Sequence, residues 1–149
     1  MITDSQTTFS NNQTIAATGS TDSANFIDLS APRDIGSGEE LKLYLAVTTS
    51  FTQTGTGSVV ANLVADTSAT FGNSPEVVNS TTIAVANMLV GAEIPIQIVS
   101  LEPYQGERYL KMQYVVQGTT LTSGAVSAGL VLDAPADEYY PRGDNVVGV

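Results

Sequence analysis

Leu41-Lys42-Leu43-Tyr44-Leu45-Ala46-Val47-Thr48 alternates apolar and other residues at every second position. A period of two puts Leu41, Leu43, Leu45 and Val47 on one face of an extended chain, whereas a helix needs a period near 3.6. The same reading applies to Leu110, Met112, Tyr114 and Val116, and to Val126, Ala128, Leu130 and Leu132. Ile94, Ile96 and Ile98 alternate around Pro95, which lacks an N–H for a ladder and so assigns that strand to a sheet edge. Shorter strands are expected at 25–29, 58–65 and 81–86, with a weaker one near 9–16. Gly55-Thr56-Gly57, Gly72 to Pro75, Pro103 to Gly106, Gly36 to Gly38 and Gly118 supply the turns between them. About eight short strands at near-regular spacing predict an all-β sandwich or barrel. A jelly roll of antiparallel strands is the eight-stranded solution that manages sheet edges. The stretch 84–89 is helix-like but only long enough for one turn or a strand end.

The 149 residues suffice for one domain with its own core. The middle, 25–133, is expected to form the jelly roll. Residues 1–24 read as a polar N-terminal arm with a first strand region, anchored by Phe9 and Ile15, and 134–149 as a C-terminal tail.

Composition excludes several chemistries. The chain has no Cys and no His, which removes thiol nucleophiles, zinc–thiolate sites and the commonest general base. Adjacent acids occur at Glu39-Glu40 and Asp137-Glu138, where neighbours point to opposite sides of an extended chain and make a poor glycosidase pair. There is no Gly-x-Ser-x-Gly elbow, P-loop or dinucleotide fingerprint. Asp133, Asp137 and Glu138 offer oxygen ligands for calcium, but no Asp-x-Asp-x-Asp-Gly loop accompanies them. The expectation is therefore no enzyme, no cofactor and no metal.

Fifteen acids against five bases give a formal net charge of −10, and no positive side chain lies between Lys42 and Arg108. Nucleic acid and anionic membranes are poor partners for such a surface. The N-terminus shows no basic and apolar leader, and no apolar run approaches the ~20 residues of a membrane helix, so a cytoplasmic product is expected. Absence of Trp and an aromatic share of 7% weaken a sugar-stacking role.

Binding candidates fall in three places. In the arm they are Phe9, Asn11 and Asn12. In the last strand, Ala125, Ser127 and Gly129 form a face almost without bulk, which fits a subunit contact or a tight internal contact. In the tail, Tyr139, Tyr140 and Arg142 are residue types enriched at interfaces. Arg142-Gly143-Asp144 spells an integrin-type tripeptide, which reads more simply as a turn in the tail.

Three stretches carry a family resemblance: Met1-Ile-Thr-Asp-Ser-Gln-Thr-Thr-Phe-Ser-Asn-Asn-Gln13, Asp28-Leu-Ser-Ala-Pro-Arg-Asp-Ile-Gly36, and Tyr109-Leu-Lys-Met-Gln-Tyr114 with Ala125-Val-Ser-Ala-Gly129. In order and spacing, from about residue 1 to Asp133, they resemble the capsid cement proteins of tailed phages of the type found in Bordetella phage. The resemblance implies a jelly roll on the outer surface of an HK97-type capsid, where it ties capsomers of the major capsid protein together. It implies a homodimer first, with a homotrimer as the next choice, and no catalytic residues. The location implied is the virion, after synthesis in the host cytoplasm. A carbohydrate-binding jelly-roll module on a phage surface is the alternative, and a carboxylate hydrolase the remotest.

Overall fold

The computed structural model describes residues 5–15, 18–29, 41–98 and 107–131. After a 3-10 turn at Ser5–Thr7 come eight strands: β1 Thr8–Thr14, β2 Gly19–Asp28, β3 Leu41–Gln53, β4 Ser58–Asp66, β5 Glu76–Ala84, β6 Glu93–Ile98, β7 Tyr109–Gln117 and β8 Leu121–Val131. They form two four-stranded sheets with orders β1-β8-β3-β6 and β2-β7-β4-β5. Every pairing is antiparallel. The pairs β1–β8, β2–β7, β3–β6 and β4–β5 are nested, like rungs of one long folded ribbon. Side-by-side pairing of β8 with β3 and of β7 with β4 then closes each sheet.

Period-two patterning decides which side chains face the gap between the sheets. Along β7, Leu110, Met112, Tyr114 and Val116 are buried while Tyr109, Lys111, Gln113 and Val115 turn outward. Leu43, Leu45 and Val47 of β3 face them together with Val126, Ala128 and Leu130 of β8. Burying each large aliphatic side chain contributes roughly 1.5–3 kcal/mol, so this core between the sheets is the main support of the fold. Bulges interrupt the alternation where the sandwich bends. One lies at Leu63/Val64, where β5 slips against β4, and others run through the β3–β8 ladder from Val47 to Gln53.

The edge expectation for Pro95 holds, since β6 is the last strand of its sheet and Pro95 pairs only with Tyr44. The stretch 84–89 is both things the sequence allowed: β5 ends at Ala84, and Val85–Asn87 makes one 3-10 turn that sends Val85 and Met88 into the core.

In the N-terminal segment the expected first strand region is found as β1 in one sheet, and the residues from Gly19 onward form β2 in the other. The polar sequence of β1 is reconciled with a buried place by hydrogen bonding. Phe9 is wholly buried, and Ser10 beside it has its hydroxyl 2.8 Å from both the Gln13 Oε1 and the Tyr114 hydroxyl. Ser10 has one proton and gives it to Gln13, so Tyr114 donates to Ser10. Gln13 in turn accepts from the Ala24 N–H at 2.8 Å and donates to the Asp22 carbonyl at 2.7 Å. This relay ties β1 to β2 and β7 across the sandwich. Burial pushes the Tyr114 hydroxyl well above its ordinary pKa, so it stays a neutral donor.

Candidate interaction surfaces

The two outer faces of the sandwich are chemically unlike. The strands β1, β8, β3 and β6 carry only Lys42 and Glu93 as charges, whereas β2, β7, β4 and β5 carry Asp22, Asp28, Asp66, Glu76 and Lys111. In a chain of net charge −10, the first sheet is close to charge-free.

On its outer face Tyr44, Val131 and Ala46 form a small apolar cluster of their own, and the end toward residues 48–52 is surfaced by hydroxyl groups that satisfy one another. Ser123 Oγ donates to the Ser50 carbonyl at 3.0 Å, so the 2.8 Å contact of Ser123 with Thr52 has Thr52 as donor. The Thr122 hydroxyl completes the chain by donating to Thr52. Nearby, Thr48 Oγ1 donates to Asn12 Oδ1 at 2.7 Å, and the Asn12 N–H donates to Ser127 Oγ at 2.8 Å. Asn12 reaches this place because the β1–β8 register shifts between Ser10 and Gln13, and its φ of 47° is left-handed, a conformation Asn tolerates. Of the expected binding residues, the fold thus brings Asn12 and Ser127 into contact and leaves Asn11 exposed beside them.

Three others have no partner-facing surface in this chain. Phe9 is a core residue, because its large apolar ring gains more from burial than from exposure at a surface. Gly129 is buried under its own chain: a side chain there would come within 2.8 Å of the Thr7 carbonyl and 2.9 Å of the Tyr44 ring. The small residue has an internal packing cause. Ala125 is buried as well. Tyr139, Tyr140, Arg142, the Arg142-Gly143-Asp144 tripeptide and the acids Asp133, Asp137 and Glu138 lie outside the described residues.

At the β6 edge of this sheet stand the two most exposed large apolar side chains among the described residues, Leu89 at 59% and Val90 at 65%. The turn that presents them is firmly held. The Phe51 N–H donates to the Met88 carbonyl, the Gly91 N–H to the Val47 carbonyl and the Ala92 N–H to the Leu89 carbonyl, each at 2.9 Å. Gly91 has φ of 87°, which the third residue of a type II turn requires. Ser50 Oγ accepts from the Val90 N–H at 2.9 Å and so joins the turn to the hydroxyl-rich face.

The opposite sheet bears an aromatic cluster. Phe26, 49% exposed, meets Phe71 and Tyr109 edge-on at ring separations of 6.2 and 5.7 Å. Lys111 stands 4.4 Å above the Phe71 ring and Arg108 5.0 Å above Tyr109. Arg108 is held by a two-pronged pair with Asp28, and Lys111 by Asp22 at 2.8 Å. Phe71 is positioned by the loop between β4 and β5. Asp66 organises that loop, accepting from the Ser68 and Asn73 N–H groups at 3.0 Å and from the Thr67 hydroxyl. Burial raises the Asp66 carboxyl, yet these hydrogen bonds outweigh it and hold the group below its ordinary range. Glu107 moves the other way: burial first, then the charges of Asp66 and Glu76, push it upward, and its Oε2 is buried without a hydrogen-bond partner. Among the described residues no group of three or more acids is placed to hold a metal.

Sequence reading missed both the Leu89–Val90 turn and the aromatic cluster. The three consecutive apolar residues Met88-Leu89-Val90 ahead of Gly91 were a usable signal for the first. Nothing local links Phe26, Phe71 and Tyr109, which only the sheet order brings together.

A search of curated proteins finds no match to this chain. The Bbp16 family model, which bears the name of a Bordetella phage protein, matches residues 9–130, from the core residue Phe9 of β1 to Leu130 near the end of β8. The match therefore covers both sheets and both outer faces, and the chain belongs to the Bbp16 family.

Proposed function

We propose that this chain is a capsid cement protein, which binds the outer surface of a major capsid protein shell and bridges neighbouring capsomers without catalysis. The observation that carries the reading is the nearly charge-free, hydroxyl-paired face of the β1-β8-β3-β6 sheet on a chain of net charge −10. Such a face loses little on leaving water where its hydroxyl groups already have partners. The acidic remainder keeps the molecule soluble and turns it away from nucleic acid. Membership of a family named for a Bordetella phage protein supports the phage setting. We read the nested strand pairs as a jelly roll, made in the host cytoplasm and carried on the virion as a homodimer, with a homotrimer as the other arrangement. Many such clasps would stabilise the closed lattice by mass action, since they bind it and not free subunits. The test compares phage particles with and without the protein under heat and chelator. Complete particles should survive longer, and equal survival would sink the proposal.

A second reading, a carbohydrate-binding module, is favoured by the cluster of Phe26, Phe71 and Tyr109 on the other sheet. Lys111 and Arg108 already occupy one face of two of these rings, which leaves Phe26 as the main stacking surface. A glycan array that shows specific binding, abolished in Phe26→Ala, would establish it.

A further inference from the structure

Cementing requires a point of purchase on the capsid, and the structure offers one. Resting on the cement reading, we infer that Leu89 and Val90 are the anchor of the docking face, seated in an uncharged apolar recess on the surface of the major capsid protein. Both side chains project into solvent from a turn fixed by three backbone hydrogen bonds and by Ser50. Met88, next in the chain, is wholly buried, so the turn is pinned to the core on its inner side. A preorganised apolar pair is an economical anchor, because little freedom remains to be lost when it binds. Interface energy concentrates in a few such side chains surrounded by near-neutral contacts that exclude water. The adjoining hydroxyl-rich face, with Thr48, Thr52, Thr122 and Asn12 already engaged with each other or with neighbours, supplies that surround.

Charge identifies the partner's chemistry. Only Lys42 and Glu93 are charged on the strands of this sheet, so most carboxylate or ammonium groups of a partner buried against it would remain unpaired, at a cost of several kcal/mol. The matching capsid surface is therefore largely neutral, and the association is driven by apolar contact, with little dependence on salt. An acidic protein held by a basic capsid surface would behave oppositely, losing affinity as salt rises.

The experiment adds full-length wild-type chain, Leu89→Ser/Val90→Ser, Val90→Thr and Phe26→Ser to purified shells lacking the protein. Bound fractions are measured by co-sedimentation at low and high sodium chloride, with the melting temperature and light-scattering mass of each free protein. Wild type and Phe26→Ser should bind alike and almost independently of salt. The double variant should lose at least about tenfold in affinity, and Val90→Thr should fall between, with folding unchanged. Equal binding by the double variant and wild type overturns the anchor while leaving the cement reading intact, as does a steep loss of wild-type binding with salt. A double variant that changes mass in solution but binds shells normally assigns the turn to contact between copies, and also overturns the anchor. Failure of the wild type itself to bind shells removes the cement reading beneath it.

Discussion

Ser10 and Tyr114 show how two buried polar residues can be unequal in consequence. Tyr114→Phe removes the donor to Ser10, which still reaches Gln13, and should cost about 1 kcal/mol. Ser10→Ala leaves a wholly buried tyrosine hydroxyl with no described partner, at a cost of about 1–3 kcal/mol. Urea denaturation should therefore rank Ser10→Ala as the more destabilising, although it deletes the smaller group, and the reverse order would refute the relay. Gly124 presents the other limit of tolerance. Its φ of 148° disfavours side chains, and any Cβ would run into the ring of Phe51. Gly124→Ala should lower the melting temperature markedly more than Gly72→Ala, whose added Cβ would meet only the Thr70 hydroxyl at an ordinary 3.5 Å. Glu107→Gln should act in the opposite sense. The carboxyl's raised pKa means that its charged form is disfavoured in the fold, so the amide should raise the melting temperature at neutral pH. The gain should vanish as pH falls below the carboxyl's ordinary 4.5, where both forms are uncharged.

At the scale of elements, the loop between β4 and β5 depends on one carboxylate. The Asp66 pKa is depressed by folding, so its stabilising effect is complete above the ordinary value of 3.8 and lost as pH falls through the lower folded value. The amide resonances of Ser68 and Asn73 should titrate together with a midpoint under 3.8, and the contact between Phe71 and Phe26 should loosen with them. The elements themselves were largely legible in sequence. Each of the eight observed strands overlaps an expected one, and β3, β6, β7 and β8 were read from alternation, which directly records which side chains a half-buried strand must hide. β5 was the hardest to bound: the shift at Leu63/Val64 leaves Val77 49% exposed, which breaks its period. β1 was under-read for a different reason. Thr8-Phe9-Ser10-Asn11-Asn12-Gln13-Thr14 has a single large apolar residue, and its burial relies on hydrogen bonds that only the fold supplies. For the same reason half of the candidate surface was visible. Asn12 and Ser127 were named from their types, whereas their meeting, and the company of Leu89 and Val90, required the register.

For the whole molecule, the buried place of β1 reverses what a polar arm would predict. Deletion of residues 1–12 removes Phe9 and Ser10 from the core and should abolish the cooperative β signal in circular dichroism. A truncated protein that melts like the full chain would contradict the fold. The segregation of charge also gives the sandwich two distinct sides, one nearly free of charge and one charged, which sequence composition alone averages into a single number.

The nested pairing sets a timetable for folding. Among the described strands β1 pairs only with β8, and the bond from Asn12 to Ser127 spans 115 residues. Contacts so distant in sequence form slowly, because much chain entropy is lost before they bring any return. On the ribosome the first strand to emerge must therefore wait for the last. Until β8 is synthesised, Phe9 has no finished core to enter, and an incomplete chain displays unpaired edges to its neighbours. The protein would then depend on finishing each chain, and translation stalled before residue 121 should yield insoluble product in place of a smaller folded domain.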